Sequence, residues 1–196
     1  MSLDLGCGSG GSKGFIESFG WEWIGLDLQF SKNLSILADA HILPFRERVF
    51  GMVVCFSALE HFEDPWKVLR EVCRVLKDDC KLIGVCAFLE PHSDSYFHFS
   101  RSGLRKMLSD CGFLLEEVTP GWHILEVIMH DFLPSGLFRF GRKLARLLAR
   151  LHFKFGLIYL KNRAKSLDQK QKIDSFTESD YSFRFAGSIV FKAKKL

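Results

Sequence analysis

The chain opens on Ser2-Leu3-Asp4-Leu5 and passes at once into Gly6-Cys7-Gly8-Ser9-Gly10-Gly11. A short apolar run, a glycine cluster and the amphipathic stretch from Ser12 to Phe19 read as a strand, a tight turn and a helix. Glycines at such a turn take up backbone angles closed to other residues, and they let a ligand approach main-chain N–H groups at the helix N-terminus. Gly6-x-Gly8-x-x-Gly11 fits the fingerprint for a dinucleotide pyrophosphate. Asp4-x-Gly6-x-Gly8-x-Gly10 is a second pattern in the same residues, and the glycines alone do not choose between the two.

The elements that follow keep an alternating rhythm. Trp21 to Leu28 reads as a second strand ending near Asp27, and Ser35 to Ala38 as a short third one. Val49 to Ser57 is a continuous apolar run, as expected of a parallel strand covered on both faces. Asp64 and Pro65 have the chemistry of a helix N-cap and first position, and Trp66, Leu69, Val72, Cys73 and Leu76 recur at helical spacing up to Lys77-Asp78-Asp79. Lys81 to Leu89 is a fifth strand, Ser100 to Cys111 a helix stopped by Gly112, and Phe113 to Val118 a sixth strand. Strand and helix alternation to about residue 118 implies an α/β fold with a doubly wound, mostly parallel sheet. Tyr181 to Lys192 returns to strand patterning at the end of the chain.

Length and composition fit one domain. The 196 residues are 47% hydrophobic and 26% charged, near the globular average. The six cysteines form no C-x-x-C pair and no Cys/His spacing of a zinc site, which predicts free thiols in a reducing cytoplasm. No stretch is long and apolar enough for a membrane span, no secretory leader precedes the first strand, and no metal-ligand spacing involves Glu90 or Asp94.

Asp27 lies about twenty residues beyond the glycine loop, where an acid accepts both ribose hydroxyls of a nucleoside. This is common to nicotinamide and methyl-transfer enzymes. The next strand ends decide between them. Ala38-Asp39-Ala40-His41-Ile42-Leu43-Pro44-Phe45, then Ser57-Ala58-Leu59-Glu60-His61-Phe62, and then the helix Asp64-Pro65-Trp66 through Lys77 resemble the type 11 group of class I S-adenosylmethionine-dependent methyltransferases, over roughly residues 2 to 120. The resemblance implies a Rossmann-like sheet with an antiparallel last strand and S-adenosyl-L-methionine as cofactor. Within it, the turn containing Gly6, Cys7, Gly8 and Gly10 admits the amino-acid end of that cofactor, and Asp4 helps hold its ammonium group. Leu28 packs on the adenine, Asp39 hydrogen-bonds the adenine amino group, and Ala40 meets the ring through its backbone. Ser57 and Ala58 line the methionine portion, and His61 faces the methyl-transfer cavity as the candidate base. Gly51 departs from the family pattern, which usually carries Asp there.

The segment after the fifth strand, Glu90 to Ser100, resembles a polar and aromatic loop of methyltransferases for surface glycans and lipids, and it offers His92, Tyr96 and His98 to an acceptor. Between the sixth and last strands an insert over about 122–175 replaces the near-direct hairpin of related folds. Leu137, Phe140, Leu144, Leu147, Leu148, Leu151 and Phe155 share one helical face, and Arg139, Arg142, Lys143, Arg146, Arg150 and Lys154 the other. Asp168 is the sole acid between Phe132 and Lys172. Such a helix serves as a lid over the site or as an interfacial helix on anionic lipid, at the inner face of the membrane. A glycine loop so close to Met1 implies that the usual N-terminal cover is absent and that this insert closes the site. The expectation is one domain over 1–196 with a small-molecule, glycan or lipid-linked acceptor. A non-catalytic partner-binding or membrane-peripheral module, or an RNA methyltransferase, are the alternatives; nucleic acid is disfavoured because no recognisable binding module accompanies the basic stripe.

Overall fold

The computed structural model describes residues 1–89, 94–121, 147, 148, 151 and 186–196. In chain order the elements are β1 (Ser2–Leu5), α1 (Lys13–Ser18), β2 (Trp23–Asp27), β3 (Ile36–Leu37), β4 (Phe50–Phe56), a single 3-10 turn (Leu59–His61), α2 (Pro65–Val75), β5 (Leu76–Ala87), α3 (Arg101–Asp110), β6 (Phe113–Pro120) and β7 (Ser188–Lys195). The strands form one sheet in the order β3-β2-β1-β4-β5-β7-β6. β1 pairs in parallel with both β2 and β4, β2 with β3, and β4 with β5. Leu196 N–H donates to Gly112 O and Gly121 N–H to Ser188 O, so β7 runs antiparallel to β6. The mostly parallel sheet with an antiparallel last strand is the architecture expected from the sequence.

The apolar runs become strands because both faces are covered. All four residues of β1 are buried, and Leu3, Phe50 and Val53 are wholly inaccessible. α2 begins as its sequence dictates: the Asp64 side chain accepts from Lys67 N–H at 2.9 Å, Pro65 follows, and Val68, Leu69, Val72 and Val75 are buried.

Several boundaries differ from the expected ones, most of all at the α2–β5 junction and in the last strand. α2 stops at Val75 and β5 starts at Leu76, ahead of the polar Lys77-Asp78-Asp79. The β4–β5 register pairs Phe50 with Leu76 and then Met52 with Lys81, so the polar residues form a bulge inside a strand that pairs on both sides of them. Asp78 is held there by Lys195 at 2.9 Å and Arg48 at 3.1 Å. The last strand spans Ser188–Lys195 and reaches further than the expected end at Lys192; residues 181–185 lie outside those described. Its inward row of Ile189, Phe191 and Ala193 continues to Lys195, which is buried. Sequence patterning assigns a terminal lysine to solvent, but this ammonium donates to Leu76 O at 2.8 Å and pairs with Asp78.

Gly51 has a steric cause. A Cβ there would come within 3.0 Å of Trp21 Cζ3 and 3.2 Å of its Cη2. The indole occupies the space that a family aspartate would need. Gly51→Asp is therefore expected to lower stability by about 1–3 kcal/mol through overpacking. In a Trp21→Ala background the same substitution should cost nothing further in a urea melt; an equal cost in both backgrounds would remove Trp21 as the reason.

The chain divides into two compact units: Met1–Phe88, His92–Val118 and Val190–Leu196 form one, Leu89–Pro91 and Thr119–Ile189 the other. Every contact of the site described below lies within the first. Of the insert over about 122–175, only Leu147, Leu148 and Leu151 fall among the described residues, and all three are exposed. No helix among the described residues is long and apolar enough to cross a membrane.

Candidate active site

The glycine loop discriminates between its two patterns by conformation. Gly6, Gly8 and Gly10 have φ of 69°, 53° and 79°, whereas Gly11 does not adopt a positive φ. A Cβ on Gly6 would overlap the Cβ of Ala58, and one on Gly10 would come within 3.1 Å of Asn33 Cβ; one on Gly11 would meet nothing within 4 Å. The glycines that the backbone requires are the alternate ones of Asp4-x-Gly6-x-Gly8-x-Gly10. Gly11, the third glycine of the dinucleotide fingerprint, is not constrained by dihedral or by space.

Two cavities meet at Gly6, one of about 550 Å³ and one of about 370 Å³. The smaller is lined by Asp4, Cys7 and Phe56 among others. Asp4 is buried in the β1 strand, and its Oδ2 accepts from Trp23 Nε1 at 2.9 Å and from the Ser12 hydroxyl. Both bonds fall on one oxygen. Burial pushes this carboxyl above the usual carboxylate range; the Ser12 and Trp23 hydrogen bonds pull against the rise and the charge of Asp27 adds to it. A buried acid perturbed in this way is a frequent mark of a functional site. Trp23 was not legible as a site residue, because an inward tryptophan in a strand reads as core. Its ring, 5.3 Å from Lys13 Nζ, fills the space beneath Gly10. Cys7 contributes main chain: its N–H donates to Leu26 O at 3.1 Å, while burial, with Asp4 and Asp27 adding, pushes the thiol up to about 11.

The larger cavity gathers the strand ends. Asp27, at the end of β2, takes Gly8 N–H on Oδ2 at 2.8 Å and Gln29 N–H on Oδ1 at 2.9 Å. One carboxylate therefore fixes the glycine loop and still offers a lone pair on each oxygen to a diol. Leu28 lines the cavity and is 71% exposed, so its side chain is uncovered where a flat base would lie. Asp39 and the buried Ala40 line the same wall. Asp39 Oδ1 accepts both the backbone N–H of His41 at 2.8 Å and its ring Nδ1 at 2.7 Å, and these bonds hold its carboxyl below the usual range.

This wall is pinned from α2. Arg74 grips Glu71 through Nε and Nη2, each at 2.7 Å, and donates to Phe45 O at 2.7 Å and Leu43 O at 3.0 Å. Glu71 Oε2 in turn accepts Leu43 N–H at 2.8 Å. The bidentate pair is more than a surface ion pair, because each partner also ties down main chain.

Ser57, Ala58 and His61 close the opposite side. Ser57 sits at φ 50°, in the left-handed region, with its N–H on Val85 O at 2.8 Å. A non-glycine residue there costs on the order of 1 kcal/mol, and such strain concentrates at functional sites. His61 Nδ1 lies 2.9 Å from Asp94 O. A carbonyl only accepts, so Nδ1 carries a proton, and in the neutral ring Nε2 is the nitrogen with the free lone pair. Tyr96 also lines this cavity and donates its hydroxyl to Glu63 at 3.0 Å. Buried Glu60 supports the segment: its main-chain O accepts from Tyr96 and Phe97, and its carboxylate accepts Ala87 N–H at 3.1 Å.

Among the acceptor candidates that fall within the described residues, Tyr96 lines the cavity and His98 does not. His98 Nδ1 bonds Phe88 O at 3.1 Å and braces the end of β5, and it is not among the lining residues. His92 lies outside the described residues.

Comparison with known proteins places part of the chain in a family. Residues 3–84 match the methyltransferase domain family of the type 11 group. The chain is 34% identical over 90 residues to protein MJ0638 of Methanocaldococcus jannaschii, covering 43% of this chain and 40% of that one. It is 30% identical over 96 residues to the methyltransferase YcgJ of Bacillus subtilis, covering 41% and 38%. The chain thus spans about two fifths of the length of these curated relatives. Among solved structures, geranyl diphosphate C-methyltransferase of Streptomyces coelicolor, determined with S-adenosyl-L-homocysteine bound, superposes with a TM-score of 0.58 over 100% of this chain and 70% of that one, at 14% identity. That likeness concerns the fold. Residues 3–84 thus match the model of a methyltransferase domain family, and the chain shares the mostly parallel α/β fold of methyltransferases of known structure.

Proposed function

We propose that the chain transfers a methyl group from S-adenosyl-L-methionine to a small-molecule, glycan or lipid-linked acceptor. One observation carries the reading: Asp4, Asp27 and Asp39, the acids assigned to an ammonium, a ribose diol and an adenine amino group, all line two cavities that meet at Gly6. Bound there, the cofactor supplies a methyl group already activated on a sulfonium. The protein's task is then to position and desolvate. Asp27 holds the ribose while fixing the loop, Asp39 reads the base, and Asp4 faces the cationic end. The bare Nε2 of His61 takes the proton from an acceptor that must lose one.

Calorimetric titration with S-adenosylhomocysteine and with NADH tests the cofactor; heat with NADH alone would refute the reading. Labelled cofactor incubated with lipid, glycan and RNA fractions then tests the acceptor. Label in RNA alone would discard the small-molecule, glycan and lipid classes.

Asp4→Asn separates function from stability. The amide oxygen still accepts from Trp23 and Ser12, but the buried charge is gone. Because the folded-state pKa of Asp4 is raised, the wild type loses stability as pH climbs from about 4 through that value. The variant should lack this loss and be at least as stable at neutral pH, while its affinity for S-adenosylhomocysteine falls by about 10-fold. Melting curves against pH and titrations read the two effects; unchanged affinity would remove Asp4 from the ammonium site.

A further inference from the structure

We propose that His41 is a positioning residue for base recognition: a neutral imidazole, protonated on Nδ1, that locks the Asp39 carboxylate so that its second oxygen selects an exocyclic amino group. This rests on the reading that the larger cavity takes an adenine nucleoside.

Hydrogen-bond directions fix the tautomer. The backbone N–H of Asp64, at the N-terminus of α2, points to His41 Nε2 at 3.2 Å. A main-chain N–H only donates, so Nε2 must be bare and Nδ1 must carry the proton. Nδ1 then donates to Asp39 Oδ1 at 2.7 Å. The same oxygen takes the His41 N–H at 2.8 Å, and together the two bonds leave the carboxylate little torsional freedom. Asp39 Oδ2 has no hydrogen bond among the described residues, and Asp39 and His41 both line the cavity.

The ring itself is held in place. Phe62 meets it edge-on with centroids 5.9 Å apart, and the histidine side chain is only 19% exposed. The chain Asp64 N–H to His41 to Asp39 therefore ties the start of α2 to the wall that would face the base. A carboxylate oxygen accepts from an amino group and repels a carbonyl, so an Asp39 fixed in this pose discriminates a 6-amino purine from a 6-oxo purine. A freely rotating one turns away or takes water and discriminates far less. His41 is thus distinct from a group that touches the ligand: it acts through Asp39.

The experiment compares S-adenosylhomocysteine with S-inosylhomocysteine, its 6-oxo analogue, by calorimetry on the full chain. The wild type is expected to prefer the adenine form by at least ~10-fold. His41→Phe keeps an aromatic ring beside Phe62 and loses both polar contacts; its preference should fall below ~3-fold through weaker adenine binding, with the hypoxanthine affinity unchanged. His41→Asn restores a donor at the Nδ1 position, and the preference should return. Nitrogen-15 shifts of the His41 ring in the ligand-free wild type should show a protonated Nδ1 and a bare Nε2. An Nε2–H tautomer, or a Phe variant that keeps the preference or weakens both ligands equally, would overturn the role of His41. A wild type that binds neither nucleoside would overturn the cofactor reading itself and the base assignment with it, a result separable from the tautomer measured without ligand.

Discussion

Gly6→Ala is expected to abolish measurable binding of S-adenosylhomocysteine, with a loss of at least ~100-fold, while Gly11→Ala leaves both binding and stability within about 0.5 kcal/mol of the wild type. Two costs add at Gly6. Its φ of 69° imposes about 1–2 kcal/mol on any residue with a Cβ. The new methyl would also overlap Ala58 Cβ, and displacing that neighbour costs about 1–3 kcal/mol more. Ala58 lines the larger cavity and Gly6 lines both, so the displacement falls on the site rather than on a remote turn. A Gly6→Ala, Ala58→Gly double variant should recover the steric part and not the dihedral part, measured by titration and by urea unfolding. The reverse pattern, a benign Gly6→Ala with a damaging Gly11→Ala, would point to the dinucleotide fingerprint and away from methyl transfer.

Asp27→Asn should carry the second-largest effect, a fall in S-adenosylhomocysteine affinity of about 30-fold or more, since hydrogen bonds to a charged acceptor are worth about 1.5–3 kcal/mol. The carboxylate receives Gly8 N–H on one oxygen and Gln29 N–H on the other. An amide offers only one oxygen, so its NH2 must face one of those N–H donors and the loop or the following turn is released. The ribose diol loses an acceptor at the same time. The distinguishing measurement uses a 2′-deoxy analogue of S-adenosylhomocysteine. Wild type should discriminate against it, and the variant should not. Equal discrimination by both proteins would mean that Asp27 serves the loop alone.

The sequence showed this site through its strand ends. In a parallel sheet each strand delivers its last residues to the same edge, and Asp27, Asp39 and Ser57-Ala58 each follow an apolar run that the eye finds readily. What stayed hidden depends on directions that a linear pattern does not encode. Trp23 looks like core, yet its Nε1–H reaches Asp4 at 2.9 Å, nineteen positions earlier. His41 reads as a turn residue until Asp64 N–H is seen to approach it from another element. The Glu71–Arg74 pair resembles an ordinary charged pair on a helix surface, and only its bonds to Leu43 and Phe45 main chain reveal that it holds the segment following the Asp39–His41 turn. Gly51 departs from the family pattern where the indole of Trp21, thirty residues earlier in the chain, packs closely against it. His98, a polar residue of the same loop, has its Nδ1 engaged by Phe88 O, which the linear pattern also did not show.

β3 contributes just two residues to the margin of the sheet, pairing Leu26 with Ile36 and Asp27 with Leu37. Asp39 and Ala40, which would meet the base's edge, follow directly from that shortest strand, whereas Leu28 and the ribose and amino-acid ends rest on β2 and on β1. Short edge pairings open at the low end of the local free-energy scale. A spent nucleoside is therefore expected to leave in a fixed sequence, with the purine swinging out as the margin frays, the sugar following, and the homocysteine tail last from beside Asp4. Binding runs the same path backwards: the purine supplies the sheet margin with the neighbour it lacks, and occupancy should slow amide exchange at Ala38, whose N–H closes the edge onto Asp27 O at 3.0 Å.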